Sequence, residues 1–124
     1  MNAVAQIFAV ITGLVHLAAF VMESLVFRRA HRVFRVRDEH VPAVRMWAFN
    51  QGFYNLFFAA AAIGGVVLLH TGDVTVGKTL VLFACGSMFL AGVVLFVSDP
   101  RRERLGGAIG QSLAPLVVLL ASTV

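Results

Sequence analysis

Residues 46–69 read MWAFNQGFYNLFFAAAAIGGVVLL, an apolar run that a cluster of amide and phenol side chains interrupts. The polar members of this cluster are Asn50, Gln51, Tyr54 and Asn55. Residues four positions apart on a helix lie on the same side, so the run predicts a helix with one polar stripe. An amide without a partner is costly in hydrocarbon. We therefore expect the stripe to face other helices, a ligand or a water-filled cavity.

The whole chain is too apolar for a soluble domain of its size. It has 124 residues, of which 60% are hydrophobic and 13% charged, and its mean hydropathy is +0.91. Apolar segments close to the ~20 residues that cross a bilayer occur at 3–27, 46–69, 76–97 and 107–123. No Lys or Arg precedes the first segment, which favours a retained helix over a signal peptide. The sequence predicts an all-α, integral membrane four-helix bundle that forms a single domain over residues 1–124.

The basic residues are distributed unevenly between the predicted connections. Of the ten Lys and Arg residues, all except Lys78 lie in or beside residues 28–45 and 98–106. The positive-inside rule places these two connections in the cytoplasm, and hence both termini on the non-cytoplasmic side of a bacterial inner membrane. A pI of about 10.7 then indicates contact with anionic membrane lipids and not with nucleic acid.

Two ionisable residues occur inside the first apolar segment. His16 and Glu23 lie seven positions apart, and on a continuous α-helix they project from one face. Ionisable side chains within a span are expensive, so they are functional candidates that face the bundle interior. The alternatives are that Glu23 pairs with Arg28 or Arg29 and that His16 only makes a structural hydrogen bond.

Polar residues of three segments are predicted to share one depth in the membrane. Glu23, Asn50 and Gln111 each lie five to seven residues from the nearest basic boundary, which is roughly 7 to 11 Å along a helix. Pro115 removes the hydrogen bond to the Gln111 carbonyl and predicts a kink beside it. We expect a pocket near the cytoplasmic side that binds a hydrophobic small molecule. Its residues, called the polar set below, are His16, Glu23, Asn50, Gln51, Tyr54, Asn55 and Gln111.

The chemistry of the polar set fits proton transfer. Glu23 and His16 form a candidate catalytic acid/base pair, and the amides and the phenol are hydrogen-bonding groups that can orient a ligand and stabilise developing charge. This combination predicts an isomerase, epimerase or hydrolase that acts on a lipid or isoprenoid-like substrate. A small proton-coupled transporter and a structural or partner-binding subunit remain alternatives, and self-association is left open.

No pattern in the chain indicates a metal site or a cofactor. His31 and His40 flank Asp38 and Glu39 in the first connection, but their spacing matches no established ligand motif. Haem, iron–sulfur and dinucleotide signatures do not occur. Cys85 is expected to be a small buried packing residue.

The chain resembles a family of small four-span membrane proteins, the domain of unknown function 1304 family. The resemblance rests on His16 and Glu23, on the Asn-Gln-Gly-Phe-Tyr-Asn element at residues 50–55, and on Gln111 with Pro115. It extends over essentially the whole chain. It implies a four-span fold, and the epimerase label that some members carry agrees with acid/base chemistry.

Overall fold

The computed structural model describes residues 1–123, apart from the side chains of residues 103 and 104. Arg104, which belongs to the predicted basic cluster, therefore lies outside the described side chains. All regular structure in the described part is helical. The elements in chain order are α1 (Ala3–Phe20), a π-helical turn (Val21–Leu25), α2 (Phe27–Ala30), two 3-10 turns (His31–Phe34 and Asp38–His40), α3 (Val41–Thr71), α4 (Val74–Ser98) and α5 (Arg102–Ala121).

Three helical stretches are long and apolar enough to cross a membrane. They are Ala3–Leu25, Asp38–Thr71 and Val74–Ser98. The fourth predicted segment is also helical, but its apolar part, Leu105–Ala121, is shorter. An all-α chain with the character of a membrane helical bundle is thus confirmed, whereas the fourth span remains a prediction.

The first helix does not continue as an α-helix through residues 3–27. It changes at Val21 into a π-helical turn, in which the Val26 amide donates to the Val21 carbonyl at 3.0 Å. A π turn has more residues per turn than an α-helix and so rotates the side chains that follow. The α-helical spacing that places His16 and Glu23 on one face therefore does not apply across this turn.

Two prolines lie at helix boundaries. Pro42 lies in the first turn of α3, where its missing N–H is not needed. Pro100 follows the end of α4 at Ser98, because proline cannot continue a helix. The helix of the second apolar segment consequently starts several residues earlier than expected.

The long helices pack in the cyclic order α1, α3, α4, α5 and back to α1. Small residues bring α3 and α4 together, because a Cβ atom on Gly65 would lie 2.8 Å from the Gly77 carbonyl oxygen. Beside this crossing lies a core in which Cys85 is fully buried, as expected. The core cluster consists of Ala5, Ala9, Val81, Cys85 and Val118.

Both termini lie at the same end of the bundle. The Asn2 side chain caps α1 and donates from Nδ2 to the Ala121 carbonyl of α5 at 2.7 Å. At this end the His70 ring also bonds to Gln6 Oε1 at 2.6 Å, which connects α3 to α1. The opposite end carries the arginines of residues 28–45 and is called the basic end below.

Two adjacent glycines of α3 should respond differently to alanine. A Cβ atom on Gly65 meets the backbone of α4, whereas one on Gly64 has nothing within 4 Å. We expect Gly65→Ala to lower the free energy of unfolding by about 1–3 kcal/mol through overpacking. Gly64→Ala should leave it unchanged or slightly raised, since alanine favours helix. Denaturation of both variants by SDS in mild detergent measures the difference, and equal loss in both would contradict this crossing.

Candidate functional site

Glu23 and Asn55 are the two members of the polar set that the structure joins. The Asn55 Nδ2 group donates to Glu23 Oε2 at 2.7 Å, and the bond connects the π-helical turn to α3. Asn55 is buried and Glu23 is half-buried. The other carboxylate oxygen, Oε1, has no partner among the described residues. The alternative that Glu23 pairs with Arg28 or Arg29 is not what the described contacts show.

A glycine allows the π-helical turn to approach α3 closely enough for this bond. A Cβ atom on Gly52 would overlap the Ser24 hydroxyl and lie 3.1 Å from the Glu23 Cβ and 3.2 Å from the Phe20 carbonyl oxygen. Ser24 also donates its hydroxyl to the Phe49 carbonyl of α3 at 2.9 Å. Neither Ser24 nor Gly52 was among the predicted site residues. The feature of the sequence that could have indicated Gly52 is its position between the amide residues of the 50–55 element.

Glu23 lines an open cleft at the basic end. The cleft, called the Glu23 cleft below, has a volume of about 460 Å³, and its chemically distinctive lining residues are Glu23, Ser24, Arg28, Arg29, Arg45 and Phe49. This size falls within the range that holds small organic ligands. Both polar and apolar groups therefore surround the Glu23 carboxylate.

The three arginines of the Glu23 cleft have no acidic partner among the described residues. Arg28 and Arg29 lie on α2, and Arg45 lies near the start of α3. Cations from two separate elements thus face a cleft that contains one carboxylate, Glu23. Guanidinium groups without a bonded carboxylate are available to an anionic ligand.

Other arginines of the same connection are already paired. Arg32 contacts Asp38 at 2.9 Å, and Arg37 contacts Glu39 at 3.0 Å. Asp38 also accepts from His31 Nε2 at 2.7 Å, while His31 Nδ1 donates to a backbone carbonyl. These contacts lie beside the Glu23 cleft, with His31 buried and the arginines exposed, and they tie the two 3-10 turns together.

A row of phenylalanine rings extends from the Glu23 cleft along α3. Phe49 lies in the cleft, and its ring centroid is 5.1 Å from that of Phe53. Phe53 in turn lies 5.2 Å from Phe20 and 6.2 Å from Phe57. The row provides an apolar surface that begins beside the carboxylate and leads away from the arginines.

Comparison with known proteins places the chain in a family. The family model described as protein of unknown function (DUF1304) matches residues 10–123. The chain belongs to this family. No curated protein and no solved structure matches it. The resemblance predicted from the residues is thereby confirmed for this DUF1304 chain, and the epimerase label stays a prediction.

His16 of the DUF1304 protein is buried but is not bonded to Glu23. Its Nδ1 lies 2.9 Å from the Thr12 carbonyl oxygen, which can only accept, so Nδ1 donates this hydrogen bond. The neighbouring Thr12 hydroxyl is buried without a hydrogen-bond partner. The bond to its own helix agrees with the structural alternative for His16, while Nε2 has no hydrogen-bond partner among the described residues.

The polar stripe of DUF1304 α3 does not turn inward as one unit. The side chains of Asn50, Gln51 and Tyr54 are exposed, and only Asn55 is buried. The inward face of α3 instead follows small residues at helical spacing, which are Ala48, Gly52, Ala59, Ala62 and Gly65 together with Asn55. Gln111 on α5 is half-buried. No described hydrogen bond joins any of these exposed residues or Gln111 to Glu23.

The described part of the DUF1304 chain contains no group of three or more His, Cys, Asp or Glu side chains that could hold a metal ion. His31 and Asp38 approach each other as a hydrogen-bonded pair, and His40 is within 3.6 Å of Glu39. The acid and histidine side chains of the first connection are thus engaged in contacts with one another and with arginines.

Proposed function

We propose that this protein binds an amphipathic small molecule in the Glu23 cleft and moves a proton on it, as an isomerase or epimerase. The proposal is supported chiefly by the position of Glu23. It is a carboxylate with one oxygen held by Asn55 and the other without a partner in the described part of the chain, in a cleft between arginines and an apolar aromatic row. A carboxylate held in one orientation is suited to remove a proton from carbon and return it elsewhere.

The remaining members of the polar set have subordinate places in this proposal. His16 is the proposed second acid/base group, since its Nε2 has no hydrogen-bond partner among the described residues. Asn50, Gln51, Tyr54 and Gln111 are proposed to bind ligand only where it extends beyond the cleft, because no described contact brings them to Glu23. Glu23 with Asn55 is therefore the centre to test first.

The proposed setting is a bacterial inner membrane that the chain crosses four times. The shared end of the two termini, joined by Asn2 and Ala121, is proposed to face away from the cytoplasm. The basic end then faces the cytoplasm, in accordance with the positive-inside rule. The apolar part of α5, Leu105–Ala121, is near the lower limit of length for a span.

A test of the proposed chemistry uses deuterium exchange. The protein in nanodiscs of bacterial lipid extract is incubated in D₂O, and the extracted lipids and isoprenoids are analysed by mass spectrometry. We expect one species to gain deuterium at carbon with the parent chain and not with Glu23→Gln. Glu39→Gln is the matched control, because it removes an exposed carboxylate from the first connection and should leave exchange unchanged.

Two outcomes separate the parts of the proposal. Deuterium uptake that Glu23→Gln does not reduce would contradict the role of Glu23. Absence of uptake, combined with a small molecule that native mass spectrometry finds bound to the parent and lost from Glu23→Gln, would leave a binding protein and overturn the catalytic part.

The contacts around Glu23 also favour a second candidate, a structural role. The Asn55 bond to Glu23 and the Ser24 bond to the Phe49 carbonyl fasten the π-helical turn to α3. Interhelical hydrogen bonds of this kind stabilise membrane bundles by about 0.6–2 kcal/mol. If Glu23→Gln changes only the unfolding free energy, the structural role becomes the better account.

The transporter alternative receives less support from the packing. Transport requires access from both ends of the bundle, and the end opposite the Glu23 cleft is occupied by the core around Val81 and Val118. Hydrogen bonds from Asn2 and His70 further connect the helices at that end. The Glu23 cleft opens at the basic end, which suits a ligand that enters and leaves on one side.

A further inference from the structure

We propose that the Glu23 cleft recognises a phosphate head carried by an apolar chain, with Arg28 and Arg45 as the residues that bind the phosphoryl group. This inference rests on the proposed function and names the chemical class of its ligand. It comes from the positions of Arg28 and Arg45, which have no acidic partner among the described side chains and which the proposed proton transfer does not use.

Arg28 and Arg45 stand where two cavities meet. Both line the Glu23 cleft, and both also line a neighbouring cleft of about 510 Å³. They belong to α2 and α3, so a single anion between them would be bound by two separate elements. Two-sided binding by guanidinium groups matches the geometry of phosphate oxygens.

The segment that carries Arg28 is held by contacts. Phe27 is buried, and its ring packs beside Phe34 with a centroid distance of 6.3 Å. The Arg28 carbonyl accepts from His31 Nδ1 at 2.9 Å, and His31 is fixed in turn by Asp38. The backbone at Arg28 is thus positioned by its neighbours, while its guanidinium group is left without an acidic partner among the described residues.

The charges of the Glu23 cleft favour a phosphate over a carboxylate head. Arg28, Arg29 and Arg45 supply three positive charges, against one negative charge if Glu23 is ionised. A phosphate monoester carries about −1.5 to −2 at neutral pH, whereas a fatty acid carries at most one negative charge. The surplus of positive charge is therefore better matched by phosphate.

The row of phenylalanine rings provides the surface on which the apolar chain of the proposed ligand would lie. Phe49 lines the cleft between the arginines and the rings of Phe53 and Phe57. A head bound by Arg28 and Arg45 would place its first carbons beside Glu23 and the rest along these rings. This arrangement presents a carbon near the phosphate to the acid/base group.

The probe for this inference is farnesyl phosphate. Farnesol, which has the apolar chain without the phosphate, and inorganic phosphate, which has no chain, serve as comparison probes. Each is titrated against the full chain in mild detergent, and bound probe is measured by native mass spectrometry. We expect farnesyl phosphate to bind more tightly than either part. Arg28→Gln and Arg45→Gln should each weaken it roughly tenfold or more, as expected for loss of a charged hydrogen bond.

Matched controls come from the paired arginines of the same connection. Arg32→Gln and Arg37→Gln remove the same charge from the same end of the protein, but their guanidinium groups are bonded to Asp38 and Glu39. Their effect on binding should stay below about threefold, the size of a screened surface-charge effect. Arg45→Lys keeps the charge without the planar fork and should weaken binding less than Arg45→Gln. Circular dichroism and gel filtration verify that each variant is folded.

Every other outcome overturns a specific part of the proposal. Equal weakening by all four glutamine variants would indicate diffuse surface charge and overturn the site. If farnesol binds as tightly as farnesyl phosphate, the phosphate head is overturned while the proposed function stands. If neither farnesol nor farnesyl phosphate binds, the result counts against both the phosphate head and the proposed function. Displacement at equal concentration by inorganic phosphate or by phosphatidylglycerol would assign the site to a free anion or to a bilayer lipid, and would overturn a phosphate monoester with its own chain.

Discussion

Replacing Gly52 by alanine is expected to separate the π-helical turn from α3 and to break the Asn55 bond to Glu23. The new Cβ atom would overlap the Ser24 hydroxyl and would lie within 3.2 Å of the Phe20 carbonyl oxygen. Overpacking at a helix contact costs about 1–3 kcal/mol, and a β-branched residue should cost more. We therefore expect Gly52→Ala to lower the unfolding free energy in detergent and Gly52→Val to prevent isolation of folded protein.

A double variant tests whether this clash is the cause. The nearest atom to the added Cβ is the Ser24 hydroxyl oxygen, so Gly52→Ala combined with Ser24→Ala should recover part of the stability that Gly52→Ala loses. Ser24→Ala alone should cost stability, because it removes the bond to the Phe49 carbonyl. Gly106→Ala is a glycine control with nothing within 4 Å of its added Cβ. Additive losses in the double variant would mean that the two residues do not meet.

The helices were predictable from the sequence because apolar length and terminal signals define them. The end of α4 just before Pro100 and the burial of Cys85 follow from local chemistry, and the structure has both. The π-helical turn could not be predicted in this way. It depends on a contact with Gly52, which lies far along the chain on another helix. Boundaries set by such contacts carry no signal within the segment itself.

The candidate site was predictable in part for a related reason. Glu23 was recognisable because a carboxylate within an apolar segment is rare and costly. The residue of α3 that contacts Glu23 could be identified only once the rotation of α3 about its axis was known. That rotation places the small residues Ala48, Gly52 and Ala59 on the buried face. Their spacing was present in the sequence but was less conspicuous than the amides. The ion pairs of Arg32 with Asp38 and of Arg37 with Glu39 depend on the two 3-10 turns, which no local sequence pattern predicted.

Asn55→Asp is expected to destabilise the protein at neutral pH with almost no change of shape. It replaces a donor by a carboxylate at the point that lies 2.7 Å from Glu23 Oε2. Two carboxylates can approach so closely only while they share a proton. The folded variant then binds a proton that the unfolded chain has lost at neutral pH, so its stability should fall as pH rises and recover in acid. Unfolding by SDS from pH 5 to pH 8 measures this slope, and a flat profile that matches the parent would contradict the contact.

The exchanged double variant, Glu23→Gln with Asn55→Asp, separates the structural role of this pair from its catalytic role. It reverses donor and acceptor, so the amide now on the π-helical turn can donate to the carboxylate now on α3, and the link between the two elements is restored. We expect its unfolding free energy to return toward that of the parent, above that of Asn55→Asp alone, which a double-mutant cycle quantifies. The carboxylate, however, now sits on the buried side of the contact and away from the Glu23 cleft. Proton transfer to a ligand should therefore remain reduced by ~100-fold or more, the usual contribution of a positioned acid/base group. Recovery of both stability and deuterium exchange would show that the position of the carboxylate does not matter, and recovery of neither would mean that the two side chains do not act as a pair.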